Sequence, residues 1–124
     1  MRCLLDTAVL LFWAMGRGDR LSDLQQAAIR DGGNEVYVSA ISAAEVRVKA
    51  SIGKLAPPAA LFTALADHGF VELPLTIADT EALETLPLLH RDPFDRLLVV
   101  QAHAHGLTLI TTDDRLRQYS IATL

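Results

Sequence analysis

Short apolar runs alternate along the chain with longer stretches in which apolar residues recur every three or four positions. The short runs predict strands at residues 3–5, 36–39, 71–75 and 107–111, with a last strand-like piece near Ile121. The longer stretches predict helices at residues 8–15, 22–30, 42–52, 57–68, 76–86 and 93–105. Strands that alternate with helices predict a mainly parallel sheet covered on both faces, a three-layer α/β/α fold with four to five strands.

The ends of two predicted helices carry clear cap signals. Ser42 and Glu45 have the spacing of a capping box, which would begin a helix. Asp92 is an expected N-cap with Pro93 as the first helical residue, and Gly106 is the expected stop of the same helix. These signals fix where the acidic residues of both helices are expected to lie.

Composition and charge narrow the class of protein. A chain of 124 residues is expected to form one domain, residues 1–124. The formal net charge of −4 argues against a broad basic surface for nucleic acid, although not against a local basic rim. The longest apolar run, residues 8–15, is too short to span a membrane and lacks the flanks of a signal peptide. We therefore expect a cytoplasmic protein with no membrane contact.

The apolar content suggests a buried interface. The hydrophobic fraction of 51% is high for a small protein and favours contact with a second copy or a partner. Leu61, Phe62 and Leu65 share one side of a predicted helix and are candidates for that surface, with core packing as the alternative. The single Cys3 cannot form an internal disulfide and is expected to pack in the core.

Four acidic residues are expected to meet at one edge of the sheet. Asp6 follows the first strand and Asp113 follows the fourth, while Glu45 and Asp95 lie in the first turns of predicted helices. Right-handed crossovers begin their helices at the carboxyl edge of a parallel sheet, and ligands bind outside that edge. Each acid alone has a structural alternative as a helix-start or turn residue.

Gathered carboxylates repel one another unless some take up protons or a cation neutralises them. Oxygen ligands of this kind suit Mg²⁺ or Mn²⁺. An ion with an open coordination position can polarise a phosphoryl oxygen and lower the pKa of bound water. The pattern therefore favours hydrolysis of a phosphodiester.

The same residues carry a resemblance to a known family. The sequences LLDT at 4–7, SAAEV at 42–46, HRDPFDRLL at 90–98 and LITTD at 109–113 are similar to the acid-bearing segments of PIN-domain ribonucleases. In particular, the chain resembles the VapC-type toxins of type II toxin–antitoxin modules. The segment at 90–98 is the most specific of the four.

The resemblance implies a metal-dependent endoribonuclease toxin that uses Mg²⁺ or Mn²⁺ and is neutralised by a cognate antitoxin, with a homodimer as the expected assembly. Asp6 and Asp95 are expected as direct metal ligands. Glu45 and Asp113 are expected to bind through water or to orient the nucleophile. Thr111 or Thr112 is a candidate for holding a water or an acid in place. The implied catalytic and metal-binding set is Asp6, Glu45, Asp95 and Asp113.

Basic residues near these acids are candidates for guiding the RNA backbone. Lys49, Arg91 and Arg96 could contact phosphates, with solvated surface charge as the alternative reading. His90 could touch RNA, although a loop histidine is more often incidental. His103 and His105 would not share a helix face, which argues against a histidine zinc site.

Two other functions remain open at this point. A catalytically silent PIN-like module would bind RNA or protein only, and four intact acids argue against it. A phospho-accepting receiver domain would have the same layered fold and an acid cluster. A receiver domain would also have a lysine after a late strand, whereas this chain has Thr111, Thr112 and Asp113 at that place.

Overall fold

The structure, a computed structural model, describes residues 1–124. The strands are β1 (Arg2–Leu5), β2 (Glu35–Ser39), β3 (Phe70–Leu73) and β4 (Thr108–Ile110). The α-helices are α1 (Thr7–Ala14), α2 (Asp23–Arg30), α3 (Ala40–Ser51) and α4 (Pro93–His105). Short 3₁₀ helices cover Gly18–Arg20, Leu65–His68, Ala78–Thr85 and Leu116–Gln118.

The four strands form one parallel sheet in the order β3-β2-β1-β4. The predicted fifth piece is a rudimentary parallel extension beyond β4. There the amide of Leu109 donates to the carbonyl of Ala122 at 2.9 Å, and the amide of Leu124 donates to the carbonyl of Leu109 at 3.0 Å. The third strand lies at the sheet edge and ends just before Pro74, as that proline predicted.

Successive residues of β1 point to opposite faces of the sheet, so the fold has two cores. Cys3 and Leu5 pack with α1 and α2 on one face. Leu4 packs with α4 and the end of the chain on the other face. The predicted three-layer α/β/α architecture is therefore confirmed, and so is the burial of Cys3.

The prediction of a helix at residues 57–68 is wrong. Residues 59–63 form turns, and only Leu65–His68 is helical, as a 3₁₀ turn. Pro57 and Pro58 remove two amide donors, and a four-residue turn follows in which Leu61 donates to the carbonyl of Pro58 at 3.1 Å. The packing of Leu61 and Leu65 against the core outweighs the helical periodicity.

This packing also corrects the predicted interface. Leu61 and Leu65 are buried in the core and cannot form a docking surface. Phe62 is half-buried, and the guanidinium of Arg47 lies 5.4 Å from its ring centroid. Apolar side chains that do remain exposed include Val48 of α3 and Ile52, which directly follows the helix.

The predicted helix at residues 76–86 is a 3₁₀ helix, not an α-helix. Thr76 still acts at its start: its hydroxyl accepts a hydrogen bond from the amide of Asp79, and the carboxylate of Asp79 accepts one from the amide of Thr76, both at 3.2 Å. Asp79 also contacts Nε2 of His105 at 2.9 Å, so the end of α4 is tied to this segment. His105 therefore has a structural partner, in keeping with the argument against a zinc site.

Helix α3 begins three residues earlier than predicted. Ser39 is the N-cap and accepts a hydrogen bond from the amide of Ile41 at 3.0 Å, so the predicted capping box at Ser42 does not form. Ser42 lies inside the helix, and Glu45 lies in its second turn. Helix α4, in contrast, is capped as predicted: Asp92 accepts from the amide of Asp95 at 3.2 Å, and Gly106 ends the helix with φ 63°.

None of the helices combines the length and the apolar character needed to cross a lipid bilayer.

A buried glutamine joins the strand ends to α4, and it is a target for a stability test. Gln101 accepts a hydrogen bond from the hydroxyl of Ser39 at 2.5 Å and donates one to the carbonyl of Pro74 at 3.0 Å. We expect Gln101→Met to lower the free energy of unfolding by about 2–4 kcal/mol, because two buried polar groups lose their partners. Urea unfolding measures the change. Gln118→Met, at an exposed position, is the matched control, and equal stability of the two variants would contradict the role of this network.

Candidate active site

The strand order creates a crevice at the carboxyl edge of the sheet. The chain builds outward from β1 through β2 to β3 and then returns to place β4 on the opposite side of β1. The crevice beyond such a switch point is where α/β sheets bind ligands. Asp6 follows β1 and Asp113 follows β4 closely, so both acids lie at this switch point.

Asp6 is the most buried of the four predicted acids. It is the N-cap of α1 and accepts a hydrogen bond from the amide of Val9 at 2.8 Å. Burial is the main cause that raises the pKa of Asp6 to about 6, the charges of Asp113 and Glu45 contribute to the rise, and hydrogen bonding acts against it. The hydroxyl of Thr111 accepts a hydrogen bond from the amide of Asp113 at 3.0 Å, and its role in holding a water or an acid stays a prediction.

Glu45 reaches the site from the second turn of α3. The helix is held against the start of α1, because the hydroxyl of Thr7 donates to that of Ser42 at 2.9 Å. Glu45 Oε2 bonds the ammonium of Lys49 at 2.6 Å, whereas Glu45 Oε1 is buried and has no hydrogen-bond partner. This hydrogen bond raises the pKa of Lys49. One buried carboxylate oxygen is thus left without the donor or cation that its burial requires.

Asp95 lies in the first turn of α4, where the cap formed by Asp92 directs it towards the other acids. About a fifth of its side chain is exposed. Burial, and after it the nearby charges of Asp92, Glu45 and Asp6, raise the pKa of Asp95 to about 7. The ionised form of Asp95 is therefore disfavoured at this site.

The pKa of Asp113 is lowered, whereas those of Asp6 and Asp95 are raised. Partial burial acts to raise its pKa, but hydrogen bonds from the backbone of Arg115, from His90 and from the Arg115 side chain outweigh burial and hold the pKa below its usual value. The amide of Arg115 lies 2.9 Å from Oδ1, and Nε2 of His90 lies 2.9 Å from Oδ2. Both carboxylate oxygens of Asp113 are therefore already paired with donors.

His90 belongs to the site, although the sequence reasoning treated it as incidental. Single ligand atoms of His90, Asp95 and Asp113 all lie within 4.8 Å of one another. Asp6 and Glu45 lie outside this group of three, but their charges act on Asp95. A signal for this role was present in the sequence. His90 stands two residues before the N-cap Asp92, and this spacing lets the ring of His90 accept a hydrogen bond from the amide of Asp92.

Arg96 does not guide a phosphate backbone in this structure. Its guanidinium donates to the carbonyls of Pro87 at 3.0 Å and Leu86 at 3.2 Å, and so it fixes the segment before α4. Lys49 and Arg91 are exposed, Lys49 contacts Glu45, and both residues remain candidates for that role.

The donor set fits a hard divalent cation. The four acids supply only carboxylate oxygens, and the buried Glu45 Oε1 lacks any partner. Two of the carboxyl groups, Asp6 and Asp95, have raised pKa values that a positive charge would lower. Such a set suits Mg²⁺ or Mn²⁺ better than a softer metal.

Comparison with known proteins identifies the family. The model of the PIN domain matches residues 3–122, and the chain belongs to the PIN-domain family. The resemblance read from the acid-bearing segments is thereby confirmed, and the receiver-domain alternative is wrong. No curated protein sequence matches the chain significantly.

Three solved structures share the fold with this chain. VapBC2 from Rickettsia felis, bound to a DNA fragment from its promoter, is 18% identical, with a TM-score of 0.71 over 100% of this chain and 98% of that chain. FitAB bound to the IR36 DNA fragment is 17% identical, with a TM-score of 0.65 over 100% and 94%. FitAcB from Neisseria gonorrhoeae is 20% identical, with a TM-score of 0.63 over 100% and 96%.

Proposed function

We propose that the protein is a metal-dependent endoribonuclease whose catalytic and metal-binding residues are Asp6, Glu45, Asp95 and Asp113. The unpaired and buried Glu45 Oε1 carries this proposal. A buried carboxylate oxygen without a donor costs free energy, and a bound cation would remove that cost. PIN-family membership and the position of the acids at the switch point of the sheet support the same conclusion.

Asp6, Glu45 and Asp95 would hold a Mg²⁺ or Mn²⁺ ion, and Asp113 would assist directly or through water. When bound, the ion supplies Lewis-acid stabilisation of the phosphoryl group and lowers the pKa of water. The amide of Val9 holds Asp6 in place, and the first turn of α4 holds Asp95. The protein would thereby present preorganised negative charge to the ion at low reorganisation cost.

Lys49 and Arg91 would contact phosphates of the RNA on either side of the cleaved bond. Both side chains are exposed, and Lys49 is anchored to Glu45, which places its positive charge at the rim of the acid cluster. Phosphate contacts from such residues position the strand without reading its sequence. A local basic rim of this kind reconciles RNA binding with the net charge of −4.

We further propose that the protein is the toxin of a toxin–antitoxin pair in the cytoplasm, neutralised by a cognate antitoxin and able to form a homodimer. The fold shared with VapBC2 and FitAB, which occur as complexes, supports an antitoxin partner. The exposed Val48 of α3 and Ile52 at its C-terminal end offer apolar area for a protein contact.

Metal-dependent RNA cleavage tests the proposed activity. Purified protein is expected to cleave a labelled single-stranded RNA with Mg²⁺ or Mn²⁺ and to lose that activity in chelator, with recovery when the ion is restored. Asp6→Ala is expected to be inactive under all of these conditions, because a buried ligand is lost. Asp114→Asn is the control, since Asp114 is almost fully exposed. Cleavage that persists in chelator would refute the mechanism. RNA binding without cleavage would favour the catalytically silent module.

A further inference from the structure

His90 is a buried residue that contacts two of the four acids of the site, Asp95 and Asp113. Its Nε2 lies 2.9 Å from Asp113 Oδ2 and 3.3 Å from Asp95 Oδ2, and 5% of its side chain is exposed. The same three residues form the group whose ligand atoms lie within 4.8 Å of one another. Two roles fit this position: the ring could bind a cation through Nε2, or it could hold the carboxylates that do.

The other ring nitrogen decides between these roles. Nδ1 of His90 accepts a hydrogen bond from the amide of Asp92 at 3.0 Å. A nitrogen that accepts an amide hydrogen carries no proton, and a neutral imidazole carries one proton on one of its two nitrogens. The proton therefore lies on Nε2, which donates it to the carboxylates and has no lone pair left for a metal.

The orientation of the ring is fixed by residues outside the acid group. The hydroxyl of Tyr119 accepts hydrogen bonds from the amides of His90 at 3.0 Å and Leu89 at 3.2 Å. Asp92 is itself held as the N-cap of α4 by the amide of Phe94 at 2.8 Å. The end of the chain and the start of α4 thus clamp His90, and its Nε2–H points in one direction only.

We propose that His90 is a positioning residue that acts as a fixed Nε2–H donor, orienting the carboxylates of Asp113 and Asp95 towards a cation that it does not itself bind. This inference rests on the metal site of the proposed function and specifies its ligand class. The cation would meet oxygen donors only, which favours Mg²⁺ and Mn²⁺ over metals that prefer imidazole. Partners that orient metal ligands in this way contribute substantially to metal affinity.

Mn²⁺ binding to the metal-free protein tests the inference without reference to activity. His90→Ala is expected to weaken Mn²⁺ affinity about 10- to 100-fold, the usual effect of losing a group that orients a ligand. His90→Gln, whose terminal amide can donate from nearly the same place as Nε2–H, is expected to retain affinity within about threefold on the same basis. Isothermal titration and electron paramagnetic resonance of free Mn²⁺ measure both values. His103→Ala, which changes an exposed histidine of α4, is the control.

Pulsed electron paramagnetic resonance of the Mn²⁺-loaded wild-type protein separates the two roles directly. We expect no coupling from a coordinated imidazole nitrogen. Such a coupling, present in the wild type and lost in His90→Gln, would overturn the inference, and this measurement holds even if His90→Ala does not fold. Wild-type Mn²⁺ affinity in a folded His90→Ala would overturn it as well.

The outcomes distinguish this inference from the proposed function. If the wild type binds Mn²⁺ with the expected variant pattern but cleaves no RNA, the proposed activity fails and the role of His90 stands. If the wild type cleaves RNA with Mg²⁺ and His90→Ala binds Mn²⁺ normally, the activity stands and the role of His90 fails. A wild-type protein that binds no Mn²⁺ would refute both.

Discussion

Asp95→Asn is expected to lower RNA cleavage by at least about 100-fold while the fold stays intact. Even the loss of a group that supports a metal ligand costs about 10–100-fold in metal affinity or activity, so the loss of a proposed direct ligand should cost no less. The carboxylate of Asp95 lies 3.3 Å from Nε2 of His90, and the cap of α4 uses the backbone amide of Asp95 and not its carboxylate. The change should therefore affect the chemistry and spare the helix.

Stability at alkaline pH provides a second measure of the same variant. Burial and neighbouring carboxylates raise the pKa of Asp95 to about 7, so its ionised form destabilises the metal-free protein at pH 8. Asparagine removes that charge, and we expect Asp95→Asn to be at least as stable as the wild type at pH 8 in urea unfolding.

Expression of the wild type in a bacterial host should arrest growth, and expression of Asp95→Asn should not.

The control for this variant is Asp114→Asn, the same chemical change at a side chain that is almost wholly exposed. Full cleavage activity in Asp95→Asn would contradict the site assignment. Loss of activity together with loss of the folded state would leave Asp95 with a structural role, against the geometry of α4.

The metal-free protein is expected to lose stability as pH rises from about 4.5 to 8. The pKa of Asp6 is raised to about 6 and that of Asp95 to about 7, so the folded state binds more protons than the unfolded state across this window. The free energy of unfolding then falls with rising pH. For Asp6 the loss is on the order of 3 kcal/mol, given about 1.4 kcal/mol for each unit of pKa shift. The lowered pKa values of Asp79 and Asp113 act in the opposite direction, but below about pH 4.

Urea unfolding in chelator at pH 5 and pH 8 measures this effect. Mn²⁺ at pH 8 should restore the stability, by about 2.7 kcal/mol at one hundred times its dissociation constant, because it binds the folded state only. Asp6→Asn and Asp95→Asn should each flatten the pH profile, and Asp114→Asn should not. A free energy of unfolding that rises between pH 5 and pH 8, or that ignores Mn²⁺, would count against a cluster of buried and uncompensated acids.

The stretch from 90 to 98 shows how far local sequence reasoning reaches. Asp92, Pro93 and Gly106 set the bounds of α4 through interactions within a few residues, and the structure agrees with each. The segments predicted as helices at residues 57–68 and 76–86 are not α-helices. Pro57 and Pro58 remove two amide donors from the first segment, and the second is a 3₁₀ helix that begins with the reciprocal hydrogen bonds of Thr76 and Asp79. The N-cap of α3 is Ser39 and not Ser42, because Ser39, the last residue of β2, itself caps the helix.

The sequence by itself determined the parallel sheet, the carboxyl edge at which Asp6 and Asp113 lie, and the start of the helix that carries Asp95. These depend on hydrophobic period, on caps and on the handedness of crossovers, which are local or general rules. Only the tertiary structure decided the parts that need contacts between distant segments. It buried Leu61 and Leu65 in the core, assigned Arg96 to backbone carbonyls and left one oxygen of Glu45 without a partner. It also placed His90 between Asp95 and Asp113. The role of the ring follows only from the partners of both nitrogens, and one of these partners, Asp113, is distant in the sequence.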